Sequence, residues 1–104
     1  MTVNHTKASN ARKESELSLA VAAQLRAERA VSGMTIDELA SKSGVSRGAL
    51  MKVLNGQVTA DVTQLDKICR ALGVTILDLF LRAEARIAAA AAADPATKPK
   101  AAGE

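Results

Sequence analysis

The stretch "MTIDELASKSGVSRGALMKVLNG", residues 34 to 56, decides how this chain is read. It holds two short apolar patterns separated by one glycine. Thr35 followed three residues later by Glu38 is a capping box, in which each side chain satisfies the other residue's free backbone N–H. Ile36, Leu39 and Ala40 form the apolar side of the helix that follows, and Gly44 stops it. Ser46 then caps a second helix with Leu50, Val53 and Leu54 facing inward, and Asn55-Gly56 ends it. Acids stand only at the start of the stretch, at Asp37 and Glu38, where capping explains them better than acid–base chemistry does.

Two helices of about two turns joined by a tight glycine turn form a helix-turn-helix. The second helix begins at Ser46. Its first turn carries free N–H groups and the positive end of the helix dipole, both of which favour phosphate. With Leu50 and Val53 committed to the core, Arg47, Gly48, Met51 and Lys52 point toward solvent or toward a ligand. From Leu39 to Ala60 the chain carries Lys42, Arg47 and Lys52 and no acid. On charge alone a solvated helical face is the better explanation.

Working outward, residues 1–14 are polar and mixed and read as a flexible arm. Ser15 or Ser18 can cap a helix to about Ser32, with Leu17, Val21, Ala22 and Leu25 at helical spacing and Gly33 as its stop. Asp61 or Thr63 caps a fourth helix carrying Val62, Leu65, Ile68 and Leu72. Thr75 caps a fifth with Ile76, Leu77, Leu79, Phe80 and Ile87, and the alanine run extends it to residue 93 because Ala has the highest helix propensity. Asp94 before Pro95 ends it, and 94–104 reads as a disordered tail. The expected fold is all-α: a compact five-helix domain over 15–82 with a C-terminal helix extension over 83–93. A monomer has little left to bury Phe80, Leu81, Ile87 and the alanine face, so helix 75–93 is expected to contribute to a homodimer. There is no internal repeat and no competing strand pattern.

The bulk composition excludes several classes. The chain has 104 residues and a net charge of +3, which permits nucleic acid without proving it. Phe80 is its single aromatic residue, so the core must be built from aliphatic side chains and alanine. Cys69 is the lone cysteine, which rules out an internal disulfide or a multi-cysteine zinc site and suits a reducing cytoplasm. His5 lies in the polar arm and is a poor metal ligand. No signal peptide is visible, and "ARIAAAAAA" is too short to span a bilayer. Nothing assembles a nucleophile with a base. The expectation is a cytoplasmic non-enzyme without metal or cofactor.

At this point "TIDELASKSGVSRGALMKVLNG" resembles the helix-turn-helix of the phage repressor and Cro family, also called the xenobiotic-response-element type. Over Ile36 to Asn55, the small fifth residue is Ala40, the turn glycine is Gly44, and Leu39, Val45, Leu50 and Val53 fill the hydrophobic positions. "LDKICRALGVTILDLF" resembles the family's last two helices, and the likeness covers about residues 19 to 82. The resemblance implies a sequence-specific transcriptional regulator, a phage or bacterial repressor. It would act as a homodimer, with helix 46–55 of each protomer in a DNA major groove. It implies base or phosphate contacts by Ser46, Arg47, Gly48, Met51, Lys52 and Asn55, with Lys42 and Thr35 beside the backbone. Arg47 is the candidate for a guanine edge. Arg12 and Lys13 of the arm are candidate phosphate contacts.

The chain also departs from the family pattern. Ile36 replaces the Gln often found at the second position of the first motif helix. Leu54 stands where an acid often pairs with the arginine corresponding to Arg29. The loop "QVTAD" has no positive charge. Each loss removes phosphate attraction. Two rivals therefore stay open: an antitoxin that represses its own operon while holding a toxin, and a protein-interaction module that has lost DNA binding. An antirepressor is a further kind of protein partner. The resemblance places the protein in a bacterial host cell, at the nucleoid when bound to DNA.

Overall fold

The computed structural model describes residues 2–93, with side chains from residue 16 onward. Five helices follow one another: α1 (Thr2–Ser32), α2 (Ile36–Ser43), α3 (Arg47–Leu54), α4 (Val62–Leu72) and α5 (Ile76–Ala93). No strand occurs among the described residues.

The caps locate most of the boundaries. Thr35 Oγ1 accepts from the Glu38 N–H at 3.0 Å, and Glu38 Oε1 accepts from the Thr35 N–H at 2.8 Å, completing the capping box of α2. Ser46 caps α3 through the Ala49 N–H. Of the two candidates for α4, Asp61 is the cap, accepting from the Gln64 N–H at 2.7 Å. Thr75 receives the Asp78 N–H at the head of α5.

The first helix departs from expectation. It starts at Thr2 rather than at Ser15 or Ser18, so residues 2–14 are helical rather than an arm without secondary structure. No Gly or Pro interrupts residues 2–32, and Lys7, Ala8, Ala11, Arg12, Lys13 and Glu14 are all good helix formers. A helical run without an apolar stripe is invisible to periodicity. The side chains of Arg12 and Lys13, and the tail 94–104, lie outside the described residues.

The core gathers one stripe from each helix: Leu25 from α1, Leu39 from α2, Leu50, Val53 and Leu54 from α3, Leu65, Ile68 and Cys69 from α4, and Leu79 from α5. Two apolar residues of the expected helices face solvent. Val62 in the first turn of α4 is 75% exposed, and Leu77 in the first turn of α5 is 67% exposed. On a helix only residues three and four apart share a face. The inward row of α5 (Leu79, Ala83) puts Leu77 on the other side, whereas Val62, three residues before Leu65, shares the inward phase of α4 and is nonetheless exposed in its first turn.

Helix α5 packs chiefly along α1. Ala83 is fully buried there, Arg82 pairs with Glu28 at 2.5 Å, and the Arg86 Nε–H donates to Gln24 Oε1 at 2.6 Å. Helix α5 is thus anchored to α1 within the chain, while Ala85 and Ala88 to Ala93 of its alanine face are exposed. Phe80 and Ile87 are half-buried, whereas Leu81 is 59% exposed.

Burial of Glu28 acts to raise its pKa, but hydrogen bonds from Arg82 and Gln24 and the charge of Arg82 outweigh it. The carboxyl therefore titrates below its ordinary value. A depressed folded pKa means the pair's contribution is present above the unfolded pKa and is lost as pH falls through the folded value. Glu28→Gln should lower the melting temperature at neutral pH, and the gap from wild type should shrink as pH drops below about 4.5. Thermal melts across that range check it. Cys69 is buried, and that burial, followed by the negative charges of Asp66 and Glu28, pushes its thiol up to about 11. Cys69 should therefore resist iodoacetamide at about pH 8 and react rapidly only in denaturant.

Candidate nucleic-acid interface

The interface is built by the turn between α2 and α3. Gly44 takes φ 77°, a left-handed conformation that glycine alone adopts without strain, and its N–H closes on the Ala40 carbonyl at 2.9 Å. The buried Ser43 hydroxyl accepts from the Val45 N–H at 3.2 Å. Val45 then drops into the core, and Ser46 surfaces to cap α3. Its Oγ accepts from Ala49 and keeps a hydroxyl hydrogen for an outside acceptor.

With Leu50, Val53 and Leu54 buried, Arg47, Gly48 and Lys52 are exposed on the opposite face and Met51 is half-buried between. Asn55 is the exposed C-cap of α3. Lys42 is exposed in the last turn of α2, and Thr35 is exposed at its head. The first turn of α3 holds no acid, whereas that of α2 holds Asp37 and Glu38. The α3 terminus therefore suits an anion, while Thr35 sits beside two carboxylates and is less suited to a phosphate.

Helix α3 is fixed at its far end by a residue not singled out from sequence. Arg26 of α1 donates to the Leu54 carbonyl, one of the acceptors that a helix C-terminus leaves free. Arg29 instead donates through Nη1 to the Met34 carbonyl at 2.8 Å. Its Nε is buried without a partner among the described residues. With Leu54 in place of an acid, no carboxylate from α3 meets Arg29.

A second missed contact lies in the interface itself. Asp37 is not a cap. Its Oδ1 accepts from Arg47 Nε at 2.7 Å, joining α2 to α3 with the side chains 77% and 63% exposed. The two residues are ten apart across a turn, a spacing that no helical periodicity reports.

Residues 23–82 match the model of the Cro/C1-type helix-turn-helix DNA-binding domain. The chain belongs to that family. Two solved structures are similar, both of the clp gene regulator ClgR from Corynebacterium glutamicum. One is 37% identical with a TM-score of 0.69, over 73% of this chain and 81% of that one. The other is 36% identical with a TM-score of 0.63, over 66% and 88%. No curated protein sequence matches the chain. Family and fold define a DNA-binding transcription regulator with a helix-turn-helix, not an enzyme. Among the described residues no helix is long and apolar enough to cross a membrane.

Gly48 has no structural reason within the fold. It is helical, and a Cβ built there meets nothing within 4 Å. Gly48→Ala should stabilise the free protein by about 0.5–1 kcal/mol through helix propensity. If the helix approaches DNA closely at this point, the same change should weaken DNA binding. Melting and DNA titration on one preparation check both arms, and a more stable variant with undiminished affinity would exclude close approach at Gly48.

Proposed function

We propose that this protein is a sequence-specific transcriptional repressor of a bacterium or its phage, acting as a homodimer in the cytoplasm and held at the nucleoid when bound. Each protomer inserts α3 into a major groove, with half-sites roughly 34 Å apart. The observation that carries this reading is the outward face of α3. It is capped by Ser46, bears Arg47, Gly48 and Lys52, and has no acid in the helix or onward to Ala60. Arg47 is assigned to a guanine edge, Lys52 and Met51 to neighbouring bases or sugar, and Ser46, Asn55 and Lys42 to the phosphates. The similarity to a regulator of the clp gene supports a regulatory role. For the homodimer, Leu77 and Leu81 lie one turn apart on the solvent side of α5, and the exposed Ala85 and Ala88 continue the row.

A second reading, in which a protein partner such as a toxin or antirepressor docks on the domain, is favoured by one feature. An open apolar groove lies between α1, the loop before α4, and α5, lined by Leu17, Val21, Val53, Val58, Leu65 and Phe80.

Selection from a pool of duplexes with a randomised core tests the main reading, because it enriches a site only if the protein reads sequence. On the enriched duplex Arg47→Ala should cost about 1–3 kcal/mol, with a much smaller loss on random DNA. Lys42→Ala should weaken both by similar factors. Equal losses for Arg47→Ala on the two DNAs would make it a phosphate contact. No enrichment by the wild type would leave the protein-partner reading. Light scattering of Leu81→Glu should give a monomer, and an unchanged dimer would place the interface elsewhere.

A further inference from the structure

We propose that Asp37 is a positioning residue for sequence reading: it holds the Arg47 guanidinium so that its two terminal nitrogens face the groove. The inference rests on the assignment of α3 to the major groove. The pair spans the turn, with Asp37 in the first turn of α2 and Arg47 in the first turn of α3, and is joined at 2.7 Å through Nε. That choice of atom matters. A guanidinium bound through Nε keeps Nη1 and Nη2 free, and two parallel donors are what the O6 and N7 acceptors of guanine require.

Stability does not explain the pair. Both side chains are mostly exposed, and ion pairs of that kind contribute little to folding. Capping does not explain Asp37 either, because Thr35 and Glu38 complete that motif without it. For general attraction to DNA, a carboxylate at this place is a handicap, since it cancels the charge of Arg47 and repels phosphate. For discrimination it is an advantage. The bridge limits the rotamers of Arg47 before binding and strengthens as water leaves the groove. Asp37 therefore lowers affinity for DNA at large and raises the preference for guanine opposite Arg47.

The test compares wild type, Asp37→Ala, Asp37→Asn, Arg47→Ala and the Asp37→Ala/Arg47→Ala double variant. The probes are the duplex enriched from the randomised pool, the same duplex with the Arg47-dependent guanine pair changed to adenine–thymine, and random-sequence DNA. Asp37→Ala should reduce the guanine-over-adenine preference about three- to tenfold while binding random DNA as tightly as wild type or more tightly. Asp37→Asn keeps an acceptor for Nε without the charge, so it should retain more of the preference than Asp37→Ala. In the Arg47→Ala background, Asp37→Ala should leave base preference unchanged. An independent readout is the Arg47 Nε–H resonance of the free protein, which should shift in Asp37→Ala while the melting curve stays close to wild type. An unchanged preference in Asp37→Ala, or the same change with and without Arg47, would overturn the positioning role while leaving the groove assignment intact. Loss of no preference in Arg47→Ala itself would overturn the assignment, and the positioning role with it.

Discussion

The left-handed turn at Gly44 is the constraint on which the rest of the structure depends. It reverses the chain in three residues between two fully buried leucines, Leu39 of α2 and Leu50 of α3. A side chain at φ 77° would be strained, so glycine at this position stabilises the turn and the crossing of the two helices. Once the chain turns there, Val45 is inside, Ser46 is outside as a cap, and the phase of α3 is set. Arg47, Gly48 and Lys52 are then exposed because Leu50, Val53 and Leu54 are not.

The remaining helices hold that presentation rigid. Arg26 grips the C-terminal carbonyl of α3, and α1 is in turn clamped along α5 by Glu28–Arg82 and Gln24–Arg86. Gly56 closes the other side. It takes φ 74°, and a Cβ there would stand 3.0 Å from the Leu19 side chain, so the loop after α3 can lie tight against α1. A DNA-reading helix benefits from such fixation, since any ordering left until binding opposes affinity. Among the described residues, the Nε of Arg29 is buried without a hydrogen-bond partner.

Much of the fold was legible because its signals are local. A capping box, a serine cap and glycine stops lie within a few residues of what they control, and α2 and α3 appear at the expected boundaries. The match over 23–82 falls within the stretch whose resemblance was recognised from Ala40, Gly44 and the apolar positions. What sequence could not supply was either unpatterned or distant. The first half of α1 lacks an apolar stripe, so only weak propensity marked it as helix. Leu77 is apolar yet faces solvent, because helical phase with Leu79 and Ala83 turns it outward. Asp37 looked like a cap because acids cluster at helix starts, and its partner ten residues away emerged only when α2 and α3 were set side by side. Arg26 reaching the Leu54 carbonyl has no sequence signal, because any residue supplies a carbonyl.

The central claim is that the exposed face of α3 reads bases in the major groove. Methylation interference tests it most directly, because a methyl group on guanine N7 occupies the major-groove edge and leaves the minor groove untouched. On the duplex enriched by the wild-type protein, the account predicts interference at guanines in two half-sites about one helical turn apart. Binding that ignores N7 methylation, or interference confined to adenine N3 in the minor groove, would contradict it.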